Sequence, residues 1–78
     1  MNWYIYNHSL GLFIGEFMGM GLWTSTNGVE YADPVFWINK ESVESYISSW
    51  SRDHPPVEIL QLTEEQKRDI IVKTTRAN

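Results

Sequence analysis

The chain has no cysteine among its 78 residues, which excludes a disulfide staple, a thiolate zinc site and a cysteine nucleophile and leaves stability to packing. Histidine is scarce. His8 and His54 have no His-x-x-x-His or His–Glu companion at ligand spacing, so each reads as a surface loop residue, and no metal or cofactor is expected. No stretch approaches the roughly 18 uninterrupted apolar residues of a membrane helix. The opening Met1-Asn2-Trp3-Tyr4 sets no basic region ahead of an apolar run, so no secretory leader is expected and the cytoplasm is the expected location. Basic residues are also few. Six Lys and Arg against ten Asp and Glu give a formal net charge of −4, and an acidic chain meets repulsion at DNA or RNA.

What the chain does have is aromatic: four Trp, four Tyr and three Phe, each able to bury roughly 150–250 Å². Its length allows one small domain over residues 1–78. Its charge is laid out unevenly. Glu41, Glu44, Asp53, Glu58, Glu64 and Glu65 against Arg52 leave residues 41–65 at −5, while Lys67, Arg68, Lys73 and Arg76 against Asp69 leave residues 66–78 at +3. A basic C-terminal helix end is accounted for by the helix dipole.

Trp3, Tyr4, Ile5 and Tyr6 favour a strand over residues 2–7, and His8-Ser9-Leu10-Gly11 breaks it as a hairpin loop does. A second strand is expected over 12–18. Strict alternation puts Leu12, Ile14, Glu16 and Met18 on one face of it and Phe13, Gly15 and Phe17 on the other. Gly19 and Gly21 mark a turn or bulge before a third strand over 21–25, and Asn27-Gly28 is a further turn signal. Pro34 keeps Asp33 out of a helix, and Val35-Phe36-Trp37-Ile38 reads as a short strand over 35–38.

Asn39 is a candidate cap for a helix over 40–52, in which Val43, Tyr46, Ile47 and Trp50 fall at i, i+3, i+4 and i+7 and form one apolar stripe. Pro55 and Pro56 stop it. Residues 57–62 read as another strand, and Thr63 with Gln66 has the capping-box spacing for a second helix over 64–74. The expected fold is α+β: a small antiparallel sheet of three to five strands packed on one amphipathic helix, with a short C-terminal helix.

The patterns that carry chemistry are thin. Gly15, Gly19 and Gly21 lie between strands and lack the strand-to-helix context and Gly-Lys-Ser/Thr end of a phosphate loop. Ser42, Ser45, Ser48, Ser49 and Ser51 lie on a helix without the strained elbow that exposes a nucleophile. Glu41 with Glu44 and Glu64 with Glu65 sit on solvated faces, where carboxylates keep ordinary acidity. An enzyme is not expected.

Two surfaces stand out instead. Strands one and two carry large apolar groups on both faces, and one helix covers one face, so Tyr4, Tyr6, Phe13, Phe17 and Trp23 form a candidate partner-binding patch unless the C-terminal helix or the loop through Tyr31 covers it. The acidic set Glu41, Glu44, Asp53 and Glu58 is the other candidate, as a mimic of nucleic-acid phosphates. The two predict different salt behaviour, strong for the acidic set and weak for the aromatic one.

The run Trp3-Tyr4-Ile5-Tyr6-Asn7, then Gly11-Leu12-Phe13-Ile14-Gly15, Leu22-Trp23-Thr24, Ala32, Phe36 and Lys40-Glu41-Ser42-Val43 resembles small phage-encoded accessory proteins, anti-CRISPR proteins among them. The resemblance spans Trp3 to Leu62. It implies a non-enzymatic inhibitor in the host cytoplasm that binds a bacterial protein or ribonucleoprotein complex by steric occlusion or acidic mimicry, with a homodimer also in view. The alternatives are a single-stranded nucleic-acid binder stacking bases on Trp3, Tyr4, Tyr6 and Trp23, which the net charge disfavours, and a dimeric structural or regulatory domain.

Overall fold

The computed structural model describes residues 1–26, 33–50 and 54–76. Strands β1 (Asn2–Asn7), β2 (Gly11–Phe17) and β3 (Met20–Trp23) are followed by helix α1 (Lys40–Ser48), strand β4 (Glu58–Leu62) and helix α2 (Glu64–Arg76). The four strands form one antiparallel sheet in the order β3-β2-β1-β4. The fold is α+β. The Asn27-Gly28 turn and the segment through Tyr31 lie outside the described residues, as does Asp53.

β1 alternates cleanly. Ile5 and Trp3 point into a core with Phe13, Trp23 and Val43, while Tyr4 and Tyr6 point to the opposite side with Leu12 and Leu62. The stripe of α1, Val43, Tyr46, Ile47 and Trp50, covers the first side. The second side is covered by α2 through Ile70 and Ile71. Of the two outcomes open for that face, the structure has the covered one: the C-terminal helix lies over it, with Ile70 and Ile71 packed on the cluster of Tyr4, Leu12 and Leu62.

Each helix begins as its sequence predicts. Asn39 caps α1, its Oδ1 accepting from the Ser42 backbone N–H at 2.9 Å and from the Ser42 hydroxyl at 2.8 Å. Thr63 and Gln66 close the reciprocal capping box: the Gln66 N–H donates to Thr63 Oγ1 at 3.1 Å and the Thr63 N–H to Gln66 Oε1 at 2.9 Å. The first helix ends earlier than residue 52. Ser49 is its C-cap, the Ser48 hydroxyl donates to the Glu44 carbonyl and the Ser49 hydroxyl to the Tyr46 carbonyl, and serine hydroxyls that compete for backbone carbonyls weaken a helix where they cluster.

The run 35–38 is not a strand. β1 and β2 are in register only at Tyr6↔Leu12 and Asn7↔Gly11 and diverge beyond. Into that fork goes the segment after Pro34, held by the Val35 N–H on the Phe13 carbonyl at 3.1 Å and by reciprocal bonds between Trp3 and Trp37 at 2.8 and 3.0 Å. A single bridge fills the gap, which is too short for a ladder.

The β1–β2 loop needs a glycine at its end. Gly11 has φ +92°, and a Cβ there would collide with Thr24 Oγ1 and the Thr74 side chain. That crowding comes from a polar relay. The Leu12 N–H donates to Thr24 Oγ1 at 3.1 Å, Thr24 Oγ1 lies 2.7 Å from Thr74 Oγ1, and the Thr74 hydroxyl donates to the Ile70 carbonyl at 2.8 Å. With the Thr74 proton committed to Ile70, Thr24 is the donor between the two hydroxyls. The relay ties α2 to the end of the first hairpin and satisfies Thr24, which is buried.

β2 changes phase midway. Phe13 pairs with Trp23 and Gly15 with Leu22, so Ile14 is an extra residue, and Gly15 has φ +139°. This bulge corrects the expected alternation, which placed Glu16 on the side of Leu12. Glu16 instead faces α1, where its carboxylate accepts from the Tyr46 hydroxyl at 3.0 Å.

Candidate functional site: an apolar turn and the cleft behind it

The aromatic residues singled out from the sequence do not form one open face. Tyr4 is 2% exposed beneath α2, and Phe13 and Trp23 are 1% and 4% exposed beneath α1, so their surface is spent on packing. Tyr6 is half-buried and its ring meets the edge of His8 at 5.2 Å. Phe17 alone of the set is open to solvent. Of the acidic set, Glu41 and Glu44 lie exposed on α1, whereas Glu58 sits on the edge strand and faces His8, Oε1 to Nε2 at 2.9 Å. Three members of the aromatic set are thus buried, and Asp53 of the acidic set lies outside the described residues.

What it does bring together lies at the end of the β2–β3 hairpin. Phe17 and Met20 are paired, and the two residues between them, Met18 and Gly19, have φ +52° and +79°, the positive pair of a type I′ turn. This turn matches strand twist, so it is well defined. Its first position ordinarily goes to Asn, Asp or Gly, because a Cβ in the left-handed region costs roughly 1–2 kcal/mol. Here that place holds methionine, 84% exposed, flanked by Phe17 at 65% and Met20 at 67%. Phe36 and Ile38 are also exposed, but on the irregular segment before α1.

Behind the turn is a cleft of about 630 Å³, within the usual size of small-ligand and side-chain pockets. Gly19, Met20 and Gly21 form one wall and Tyr46, Ser49 and Trp50 the other; Phe13 and Trp23 line it between them, and His54 and Pro55 also border it. The rings brace one another. Phe13 lies 5.3 Å from Trp23 and 5.5 Å from Trp50, and Tyr46 lies 5.7 Å from Trp50, edge to face. The cleft exists because α1 ends at Ser48 while the hairpin runs on, and because the β2 bulge turns Glu16 toward it.

The cleft has a distinct electrostatic character. Burial first, and then the Glu16 hydrogen bond and charge, hold the Tyr46 phenol above its ordinary pKa of 10.0. The Trp50 indole N–H is buried and meets no acceptor within hydrogen-bond geometry among the described residues, yet it lies near enough to the phenol to draw its pKa part of the way back. Tyr46 and Trp50 were legible in the sequence as a packing stripe. The turn was legible through Gly19, although Met18 was expected at the end of the strand before it; the place of Glu16 was not legible, and its one signal was glycine in mid-strand, the mark of a bulge.

Comparison with protein families, with curated proteins and with solved structures finds no match. The geometry of the turn and the cleft is therefore what any functional reading must rest on. Among the described residues no helix is long and apolar enough to cross a membrane, and no group of three or more His, Asp or Glu side chains could hold a metal ion.

Proposed function

We propose that the protein is a binding module without chemistry of its own, which acts by seating the Phe17–Met20 turn and the adjoining cleft on a partner protein and occluding it. The observation that carries this is Met18. An exposed apolar side chain at a left-handed turn position lowers stability and solubility together, a cost that contact with a partner offsets. In the form suggested by the sequence resemblance, the partner is a bacterial defence complex, as for anti-CRISPR proteins. Occlusion through apolar contact accords with this geometry better than acidic mimicry does, because Glu58 already faces His8. Base stacking on Tyr4 and Trp23 would require exposing two buried rings.

Met18→Asn tests the reading. Asparagine tolerates the turn, so thermal stability should hold or rise by about 0.5–1 kcal/mol, while capture of any bacterial protein that the wild-type chain retains should be lost. Retention of the same partner at equal strength by Met18→Asn and by Phe17→Ser would overturn it, and sedimentation of the two chains would show whether the partner is a second copy.

A further inference from the structure

Beside the apolar turn, the described lining of the cleft carries one carboxylate and no lysine or arginine. That carboxylate is Glu16. It makes no ion pair with a described residue, and the Tyr46 hydroxyl, 3.0 Å from Oε1, fixes its position and leaves Oε2 to another donor. The partly exposed rings of Tyr46 and Trp50 line the same cleft, with Phe13 packed against both. A neutral apolar anchor would fill such a space but would strip water from Glu16 and return nothing for it. A phosphate would be repelled.

We infer that the cleft takes an arginine side chain from a basic segment of the partner protein, its guanidinium on Glu16 and its plane and stem against the aromatic walls. The inference rests on the binding reading above and names the chemistry of that partner. Guanidinium fits this lining better than an ammonium. It is planar and more weakly hydrated, it stacks on aromatic faces, and its fork of N–H groups suits a carboxylate. The aliphatic stem of arginine suits the apolar walls. Tyr46 is a positioning residue here, because it orients the carboxylate and leaves the new bonds to Glu16. The overall charge of −4 assists the approach of a basic segment.

The test titrates the whole chain with a blocked Gly-Leu-Arg-Leu-Gly peptide and with its citrulline twin, which has the same shape and no charge, while following the indole N–H signals of Trp50 and Trp23 by NMR. The arginine peptide should shift the Trp50 signal and bind about tenfold more tightly than the citrulline twin, the lower end of what a hydrogen bond to a charged group contributes. In Glu16→Gln the two peptides should bind alike, and Tyr46→Phe should keep a reduced preference for arginine. Equal binding of the twins to the wild-type chain, an undisturbed Trp50 signal, or a lysine peptide that binds as well as arginine would each overturn the inference. If the arginine preference is absent while capture of a partner still depends on Met18, this inference fails and the binding reading stands. If the arginine preference is present while capture ignores Met18, the turn is displaced as the contact and the cleft remains.

Discussion

The two faces of the sheet carry the same kinds of side chain and use them differently. On one, the thirteen residues of α2 lie over Tyr4, Leu12 and Leu62, and the Thr24–Thr74 relay ties the helix to the first hairpin. On the other, α1 has nine residues, and beyond its last turn Phe13 and Trp23 form the back of an open cleft. The larger share of aromatic rings is on the second face, which is also the one whose cover stops short and leaves a cleft. A surplus of aromatics in a small domain therefore need not signal an exposed patch. Where a covering helix is short, the rings that build the core also build the site.

Three measurements can break or sharpen that contrast. The largest effect is expected from Phe13→Ala, which removes a 1% exposed ring touching Trp23, Tyr46 and Trp50. The loss should be about 3–5 kcal/mol in urea unfolding. A loss below about 1 kcal/mol would mean that Phe13 is a cleft wall able to collapse and not part of the core.

The second measurement probes the closed face. Thr74→Val keeps the shape of the side chain but leaves the buried Thr24 hydroxyl without its acceptor, at a cost of about 1–3 kcal/mol. Amide exchange at Leu12 should quicken with it. A neutral result would show that the relay is dispensable and that Ile70 and Ile71 alone seat α2.

The third is smaller and belongs to the cleft. The unfolded chain ionises its tyrosines near their ordinary value, whereas folded Tyr46 holds its proton to higher pH. Its contribution to stability is therefore complete below pH 10 and falls as pH rises past it. In Glu16→Gln the phenol, read as the difference in ultraviolet absorbance between that variant and the same chain with Tyr46→Phe, should titrate lower than in the wild type. It should still lie above the ordinary value, because burial is the largest cause. An unchanged titration would separate Glu16 from Tyr46 in solution.

Much of the fold was legible from local chemistry. β1 ran from Asn2 to Asn7 as its aromatic run predicts, both N-caps formed, and the four-residue stripe of α1 faced the core. These depend on residues close in sequence. The seating of α2 was harder to see, because Ile70 and Ile71 are a modest apolar pair whose value depends on Tyr4 and Leu12 being opposite them. The site was harder still. One inserted residue at Ile14 reverses the outlook of every position after it, so Glu16 reaches Tyr46 across 30 positions of chain only once the bulge is known. A run of alternating residues hides such a reversal unless its glycine is read as a bulge.

The fork between β1 and β2 gives the molecule a mechanical grain. The two strands are joined through two paired positions, Tyr6↔Leu12 and Asn7↔Gly11, so the β2–β3 hairpin is an arm welded at its root. The arm is stayed along its length by the Val35–Phe13 bond, while the reciprocal bonds of Trp37 to Trp3 anchor the same stay to β1. Between Met18 and the β1–β4 ladder the arm is held first by the Tyr46 hydroxyl on Glu16 and then by the stay at Phe13. The segment after Pro34, which forms no strand of its own, is thus the cross-tie between the two arms of the fork.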